Sequence, residues 1–231
     1  MPSDPVPCAA SFLLVPVLSG DQPVDLTELV RTRLSVHYAT GRADVPVLSV
    51  AVPSAVQLPN SVLCDRLPGC SLTAYDGTLH DGRGRWRVAR WWTPPRPHGL
   101  RAPHGGCDEL PLRPHELVGR GPGLTPSGDD VLAGALVAAY AVGHPRLPRW
   151  RDDTLRALQR RRTTAVSHAL LLHAADGWAV PQLADFVEAV CSGGDVERSW
   201  ARLRAVGHSS GEALAEGALT VLAPALVRSA A

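Results

Sequence analysis

The residues with the clearest capacity for chemistry form a glycine-rich segment at positions 119–130, Gly-Arg-Gly-Pro-Gly-Leu-Thr-Pro-Ser-Gly-Asp-Asp. Four glycines and two prolines lie between Gly119 and Gly128, which predicts an irregular backbone that can approach a ligand closely. The apolar run that follows predicts a helix whose free N–H groups and positive dipole end face this loop. The segment therefore predicts a site for a small anion carrying phosphate, carboxylate or carbamoyl oxygens.

Backbone and hydroxyl groups are the expected anion ligands of this loop, and Thr125 or Ser127 is expected to cap the helix. The predicted substrate- or phosphate-binding residues here are Gly121, Gly123, Leu124, Thr125, Ser127 and Gly128. The absence of lysine supports this view, because all 23 basic residues are arginines and the formal net charge is only +1. A Walker-type lysine, a Schiff base and a global attraction to nucleic acid or membrane are thus excluded.

Asp129 and Asp130 leave two alternatives open. They can simply complement the dipole in the first helical turn, or one of them can bind a metal or act as a base beside the anion. Their side chains diverge by about 100° on a helix, so at most one faces the ligand directly. We predict a catalytic role for both, without assigning metal ligands; a divalent ion such as magnesium is the candidate cofactor.

Two later segments contribute further candidates. Thr164 and Ser167 share one helical face with His168, and their hydroxyls can contact a ligand or bond back to the preceding helical turn. The run Gly-His-Ser-Ser-Gly at 207–211 is a second glycine-flanked helix entry. Its serines can act only as a cap, or the turn can face the first loop. The predicted residues here are His208 as a catalytic proton donor or shuttle and Ser209, Ser210 and Gly211 as binding residues.

Cysteine and histidine usage indicates neither a disulfide framework nor a zinc finger. The five cysteines are odd in number and form no C-x-x-C pair, which favours a reducing, cytoplasmic compartment. Histidines 98, 104 and 115 and Cys107 fit no compact finger spacing, so we expect structural or exposed roles for them. The apolar stretch at 12–18 contains Pro16 and has no positively charged flank. We predict an early strand or buried arm there, and neither a signal peptide nor a membrane span.

The remaining pattern predicts an α+β protein, because strand-like patterns in the first half of the sequence give way to helical patterns in the second. Short Val-, Leu- and aromatic-rich runs between about 34 and 92 predict a compact antiparallel sheet or small barrel. A proline-rich linker at 93–114 ends this region, so we predict a β-rich domain at 1–113 and a helical bundle at 114–231. The predicted helices are a buried one after Ser127 and others at about 151–175, 181–190, 195–206 and 212–223, the last ended by Pro224.

The glycine loop followed by Val-Leu-Ala-Gly at 131–134 resembles the signature of the AllH-like family, one branch of which is a subunit of oxamate carbamoyltransferase in anaerobic purine (allantoin) breakdown. The segments Arg-Thr-Thr-Ala-Val-Ser at 162–167 and Gly-His-Ser-Ser-Gly at 207–211 are similar to the same pattern in order and spacing. The similarity covers roughly the C-terminal half and is loose elsewhere.

This resemblance implies reversible carbamoyl transfer between oxalurate and phosphate, which gives oxamate and carbamoyl phosphate. It also implies that larger carbamoyltransferase subunits act as partners. The alternative hypothesis is a non-catalytic ligand-binding or scaffolding subunit whose helical bundle docks onto larger enzyme partners.

Overall fold

The computed structural model of the protein describes residues 4–69, 71–103 and 112–223. Contacts along the chain separate two compact units, of which the first ends at Pro94 and the second begins at Pro95. The first unit is built mainly from strands and the second from helices. This composition agrees with the predicted α+β class.

The strands of the first unit form a closed barrel. They are β1 Val6–Ser11, β2 Val24–Arg31, β3 Ser35–Ala39, β4 Val47–Ala51, β5 Ser61–Leu63, β6 Ser71–Tyr75, β7 Thr78–His80 and β8 Arg85–Trp92. Around the barrel their order is β1-β5-β4-β3-β2-β6-β7-β8, and β1 pairs with β8 to close it. Each of these eight strands therefore has a paired neighbour on both sides.

Of the two predicted alternatives, an antiparallel sheet or a small barrel, the barrel is found, but it is not antiparallel at every seam. Strand β1 runs parallel to β8, and β4 runs parallel to β5. For β1 and β8 the physical reason is topological: they come from opposite ends of the unit, so no hairpin sets their direction. Large side chains fill the interior, and Tyr38, Leu48, Leu72 and Trp86 are all at most 2 % exposed.

For the apolar stretch at 12–18 we predicted an early strand or a buried arm; it is not a strand, although Leu14, Val17 and Leu18 are buried. It forms a 3-10 turn, Phe12–Leu14, and a short helix α1, Val15–Leu18. The hydroxyl of Ser11 accepts a hydrogen bond from the Leu13 N–H and so starts the turn. Pro16 then fits the first turn of a helix, where its missing N–H is not needed. The strand lies just upstream, in β1.

Helices of the second unit surround one central apolar helix. They are α2 Pro114–Leu117, α3 Ser127–Ala141, α4 Leu147–Arg160, α5 Ala165–Ala175, α6 Pro181–Ser192, α7 Val196–Arg204 and α8 Ser210–Leu222. The predicted start of α6 at its proline is confirmed, as is its end before Gly193, which is left-handed. Asp195 caps α7 by accepting the Arg198 N–H, at the start of the helix predicted over about 195–206. Pro224 lies outside the described residues.

The predicted single helix over about 151–175 is wrong, because the chain leaves helical geometry at 161–164. Arg161 is extended, and Thr164 is the N-cap of α5, accepting the Ser167 N–H at 3.0 Å. A threonine cap competes with the continuing helix by offering its oxygen to a freed N–H group. No proline or glycine marks this break in the sequence.

Helix α3 packs against α8 through glycines that bring the two backbones together. A β-carbon at Gly134 would lie 1.9 Å from the carbonyl oxygen of Leu214, and one at Gly217 would lie 1.9 Å from that of Val131. Any side chain at either position is thus excluded by backbone atoms. Although α3 is almost wholly buried, no helix in the described ranges combines the length and apolarity needed to cross a membrane.

Replacing Gly217 with alanine should lower the free energy of unfolding by more than about 2 kcal/mol, because α3 and α8 must separate to admit the methyl group. An unhindered helical glycine-to-alanine change would instead raise it by up to about 1 kcal/mol. Urea denaturation followed by circular dichroism measures the difference. In the control Gly194→Ala, the new carbon would meet Ala189 at an ordinary 3.4 Å; an equal effect of both changes would contradict the packing argument.

Candidate functional site

The loop before α3 owes its path to three glycines. Gly119, Gly121 and Gly123 have φ values of 73°, 108° and 100°, a region that L-residues with side chains rarely adopt. At Gly121 a β-carbon would also lie 2.7 Å from the Ser127 hydroxyl oxygen. The loop therefore depends on glycine for conformation and for space.

Two glycines of the segment also let its backbone lie close to neighbouring backbone atoms. A β-carbon at Gly119 would lie 2.2 Å from the Arg162 carbonyl oxygen, and one at Gly128 would lie 2.2 Å from the Leu117 carbonyl oxygen. The N–H of Gly128 donates to the carbonyl of Arg120 at 2.9 Å. Gly128, which we predicted as a ligand-binding residue, thus uses its N–H group inside the loop.

Several other N–H groups of the loop have no such acceptor. Within the described part of the chain, nothing accepts from the backbone N–H groups of Gly121, Gly123, Leu124, Thr125 and Ser127. Gly121 and Gly123 are exposed, and the other three residues are partly buried. A run of unused N–H groups next to a helix N-terminus is the arrangement by which backbones bind anions.

Neither Thr125 nor Ser127 caps α3, contrary to expectation. The N-cap is Pro126, which makes no side-chain hydrogen bond, and the helix begins at Ser127. The Thr125 hydroxyl instead lies 2.9 Å from that of Ser210 at the start of α8. This contact brings the N-terminal ends of α3 and α8 together, which the sequence had left as one of two alternatives for the 207–211 turn.

Asp129 is a structural anchor in the centre of this region. Its side chain is buried and accepts hydrogen bonds from the Gly119 N–H at 2.8 Å, the Ser167 hydroxyl at 2.6 Å and the Thr163 hydroxyl. Three donors to one carboxylate hold the loop, the α4–α5 connection and α5 in one arrangement. The carboxylate therefore does more than complement the helix dipole.

Asp130 points to the other side, as the divergence of neighbouring helical side chains requires. It is 7 % exposed and lies beside the hydroxyls of Thr125 and Ser210. Its Oδ2 atom is buried and has no hydrogen-bond partner in the described ranges. We call Thr125, Asp130 and Ser210 the two-helix cluster. A buried polar atom without a partner is rare in folded proteins and is a candidate contact for a ligand.

The environment of Asp130 favours its neutral form. Burial raises the pKa of this carboxyl to about 7, the hydroxyls of Ser210 and Thr125 oppose that shift, and the charge of Asp129 adds to it. A carboxyl group that is neutral near pH 7 can donate a hydrogen bond as well as accept one. The two adjacent aspartates thus differ in environment, one fully hydrogen-bonded and one poised to exchange a proton.

Thr164 and Ser167 lie at this site, but their hydroxyls donate hydrogen bonds to acceptors within the protein. The Thr164 hydroxyl donates to the Leu124 carbonyl at 2.5 Å, and that of Ser167 donates to Asp129. Both residues thus hold the loop and its anchor in place. His168 is half-buried, and burial lowers its pKa while the nearby Asp129 charge opposes that change.

The predicted residues at 208–211 divide into two groups. Ser210 belongs to the two-helix cluster, whereas His208 and Ser209 are exposed, and Ser209 is the N-cap of α8 without a side-chain hydrogen bond. A β-carbon at Gly211 would lie 1.9 Å from the Leu203 carbonyl oxygen, and the Gly211 N–H donates to Val206. Gly211 therefore serves helix packing.

Sequence reasoning missed two partners of Asp129, namely Thr163 and the N–H of Gly119. The adjacent threonines at 163–164 were the available signal, since a hydroxyl pair before a helix suggests one cap and one further contact.

Among the described residues there is no group of three or more His, Cys, Asp or Glu placed to hold a metal. His104 and Cys107, considered above for zinc, lie outside the described residues.

Replacing Asp130 with asparagine should change how stability depends on pH. A carboxyl whose folded pKa is raised keeps its proton while the unfolded chain loses it, so the wild type loses stability as pH rises from about 4 to about 7. Asparagine does not titrate, so from pH 5 to pH 8 the variant should gain roughly 2 kcal/mol relative to wild type. Urea denaturation at several pH values measures this change.

The matched control is Asp129→Asn. Three groups donate hydrogen bonds to the Asp129 carboxylate, and the asparagine would replace one of its acceptor oxygens with an NH₂ donor. It should lower stability by roughly 2 kcal/mol or more throughout the range. Parallel pH profiles for wild type and Asp130→Asn would refute the neutral-carboxyl assignment.

Comparison with known proteins assigns the part of the chain that builds this site. Residues 117–222 match the family model described as "Oxamate carbamoyltransferase subunit AllH". The match begins just before the glycine loop and includes Asp129, the two-helix cluster and the residues that hold them. No solved structure matches the chain. Over residues 117–222, the chain is therefore similar to the AllH family.

Proposed function

We propose that the chain is a subunit of a carbamoyltransferase, or a relative of one, and that its glycine loop binds a small carbamoyl- or carboxylate-bearing anion together with phosphate. The observation that carries this proposal is the two-helix cluster. There the N-termini of α3 and α8 meet around a buried carboxyl oxygen that has no hydrogen-bond partner among the described residues. Two positive dipole ends at one place favour an anion more than either alone.

The ligand oxygens would be bound by backbone and hydroxyl groups. The unused N–H groups between Gly121 and Ser127 supply donors along the loop, and the hydroxyls of Thr125 and Ser210 lie 2.9 Å apart beside them. Such donors suit planar carbamoyl and carboxylate groups as well as phosphate. The chain has no lysine, so a lysine ammonium has no part in this site.

Asp130 supplies the proton chemistry in this proposal. Transfer of a carbamoyl group from oxalurate to phosphate breaks a C–N bond and forms a C–O bond to a phosphate oxygen. The departing oxamate nitrogen must gain a proton, and the attacking hydrogen phosphate must lose one. An acid with a pKa of about 7 is suited to give that proton and to recover it from phosphate.

Asp129, Thr164 and Ser167 act as positioning residues. Their hydrogen bonds fix the loop through Gly119 and Leu124 and leave their polar atoms occupied within the protein. His208 is exposed, so its proposed proton-transfer role requires the turn at 207–211 to be covered by substrate or by a partner subunit.

The second candidate is a ligand-binding or scaffolding subunit without catalysis of its own. It is favoured by the small number of reactive groups: Asp130 is the one titratable side chain that the described residues place in the two-helix cluster. In both candidates larger enzyme subunits are the proposed partners, since the matched family is described as a subunit.

Isothermal titration with phosphate, carbamoyl phosphate and oxamate tests the binding proposal. We expect saturable binding that weakens as pH rises through about 7, because ionised Asp130 repels the anion. Ser210→Ala should weaken binding by roughly tenfold through loss of a hydroxyl donor. The control Ser192→Ala removes an exposed hydroxyl at the end of α6 and should bind as wild type. Absence of heat with all three compounds would remove the substrate assignment.

Activity of the assembled complex separates the two candidates. If Asp130 transfers the proton, Asp130→Asn should assemble with the larger subunits but lower their carbamoyl transfer by roughly 100-fold or more. If the chain only binds or scaffolds, the same variant should preserve both assembly and partner activity. Co-purification and the phosphate-dependent cleavage of oxalurate provide the two readouts.

A further inference from the structure

A second feature of the helical unit lies outside the glycine loop, in a groove between α2 and α4. Its cavity volume is about 570 Å³, within the range of roughly 300–1,000 Å³ typical of small-molecule sites. The buried Trp150 and Ala157 line its apolar part. The arginines that line it are Arg113, Arg146, Arg149, Arg156, Arg160 and Arg161.

This groove has a large local excess of positive charge. Of the twelve described residues that line it, six are arginines and one, Asp153, is acidic. The whole chain carries a formal net charge of only +1. The excess is therefore a local property of this surface and does not reflect a generally basic protein.

The spacing along α4 aligns this charge on one helical face. Arg149, Asp153, Arg156 and Arg160 follow one another at intervals of three or four residues, so their side chains share one side of the helix. Arg113 and His115, from the start of α2, line the groove as well. Guanidinium groups from two elements thus face a common space.

Existing ion pairs neutralise only part of the groove. Asp153 pairs with Arg156 at 2.5 Å and with Arg149 at 3.8 Å, and Arg113 pairs with Glu116 at 3.2 Å. Arg160 and Arg161 are exposed and have no ion-pair partner in the described part of the chain. Two unpaired guanidinium groups next to a partly neutralised row leave charge for a ligand to satisfy.

We propose that the α2–α4 groove binds a small molecule that carries two or more linked phosphates. A single carboxylate gains little here, because the carboxylate of Asp153 already engages Arg149 and Arg156. Linked phosphates offer several charges and many acceptor oxygens, which match the forked donors of arginine. The phosphate tail of a nucleotide and a free inorganic oligophosphate share this chemistry.

This inference goes beyond the carbamoyltransferase proposal and is independent of it. The residues that line the groove are distinct from the glycine loop and the two-helix cluster. Loss of oligophosphate binding therefore leaves the loop assignment intact, and failure of the loop to bind oxamate leaves the groove assignment intact.

Titration calorimetry of the full chain at physiological salt, with sodium tripolyphosphate as the probe, tests the groove. We expect saturable 1:1 binding, and at least tenfold weaker binding to Arg160→Gln/Arg161→Gln, a variant that breaks no ion pair within the described residues. Arg33→Gln/Arg198→Gln is the control, since it removes two exposed arginines elsewhere that form no ion pair with any described residue. It should bind tripolyphosphate as the wild type does. Thermal melts check that all variants fold.

Parallel titrations identify the ligand class. ATP and ADP distinguish a nucleotide from inorganic tripolyphosphate, and either result supports the proposal when the Arg160/Arg161 variant loses binding. The proposal is overturned if tripolyphosphate gives no saturable heat, or if the control variant loses as much affinity as the groove variant. Tighter binding of a hexaglutamate peptide than of tripolyphosphate would also overturn it, because the groove would then be a protein-docking surface.

Discussion

The close approach of α3 and α8 at Gly134 and Gly217 is the contact on which the candidate site depends. Backbone atoms meet there without intervening side chains, which allows two helices to pack at their minimum separation. Their N-terminal ends then lie near enough for Thr125 and Ser210 to contact each other. A wider separation would leave the loop before α3 next to solvent alone and would expose Asp130. The packing of α3 against α8 therefore also sets the geometry of the candidate site.

Two adjacent aspartates acquire opposite properties from this arrangement. Asp129 turns toward α5 and is stabilised by three donors, whereas Asp130 turns toward α8, where burial dominates. The same residue type thus supplies a structural anion in one case and a neutral acid near pH 7 in the other. Such divergence between neighbouring carboxyl groups is a general way in which one site obtains both a fixed charge and a proton donor.

The two proposed sites would bind anions in different ways. The glycine loop offers backbone N–H groups, hydroxyls and helix dipoles, which suit a small ligand held in a defined orientation. The α2–α4 groove offers long, exposed guanidinium groups, which suit a ligand of higher charge and looser shape. Because the chain contains arginine and no lysine, every basic side chain in either region presents the same planar fork of donors. The formal net charge of +1 does not reveal this difference between the loop and the groove.

Local signals in the sequence determined the loop, its glycine-dependent path, the α+β class and the ends of α6 and α7, since proline, glycine and aspartate act on the residues beside them. Tertiary structure alone decided the parallel closure of β1 on β8 and the partners of each aspartate. Thr163 meets Asp129 across 34 residues, and Thr125 meets Ser210 across 85. Contacts at such separations depend on how whole helices pack. Periodicity reports which face of a helix is apolar but not which neighbour covers it.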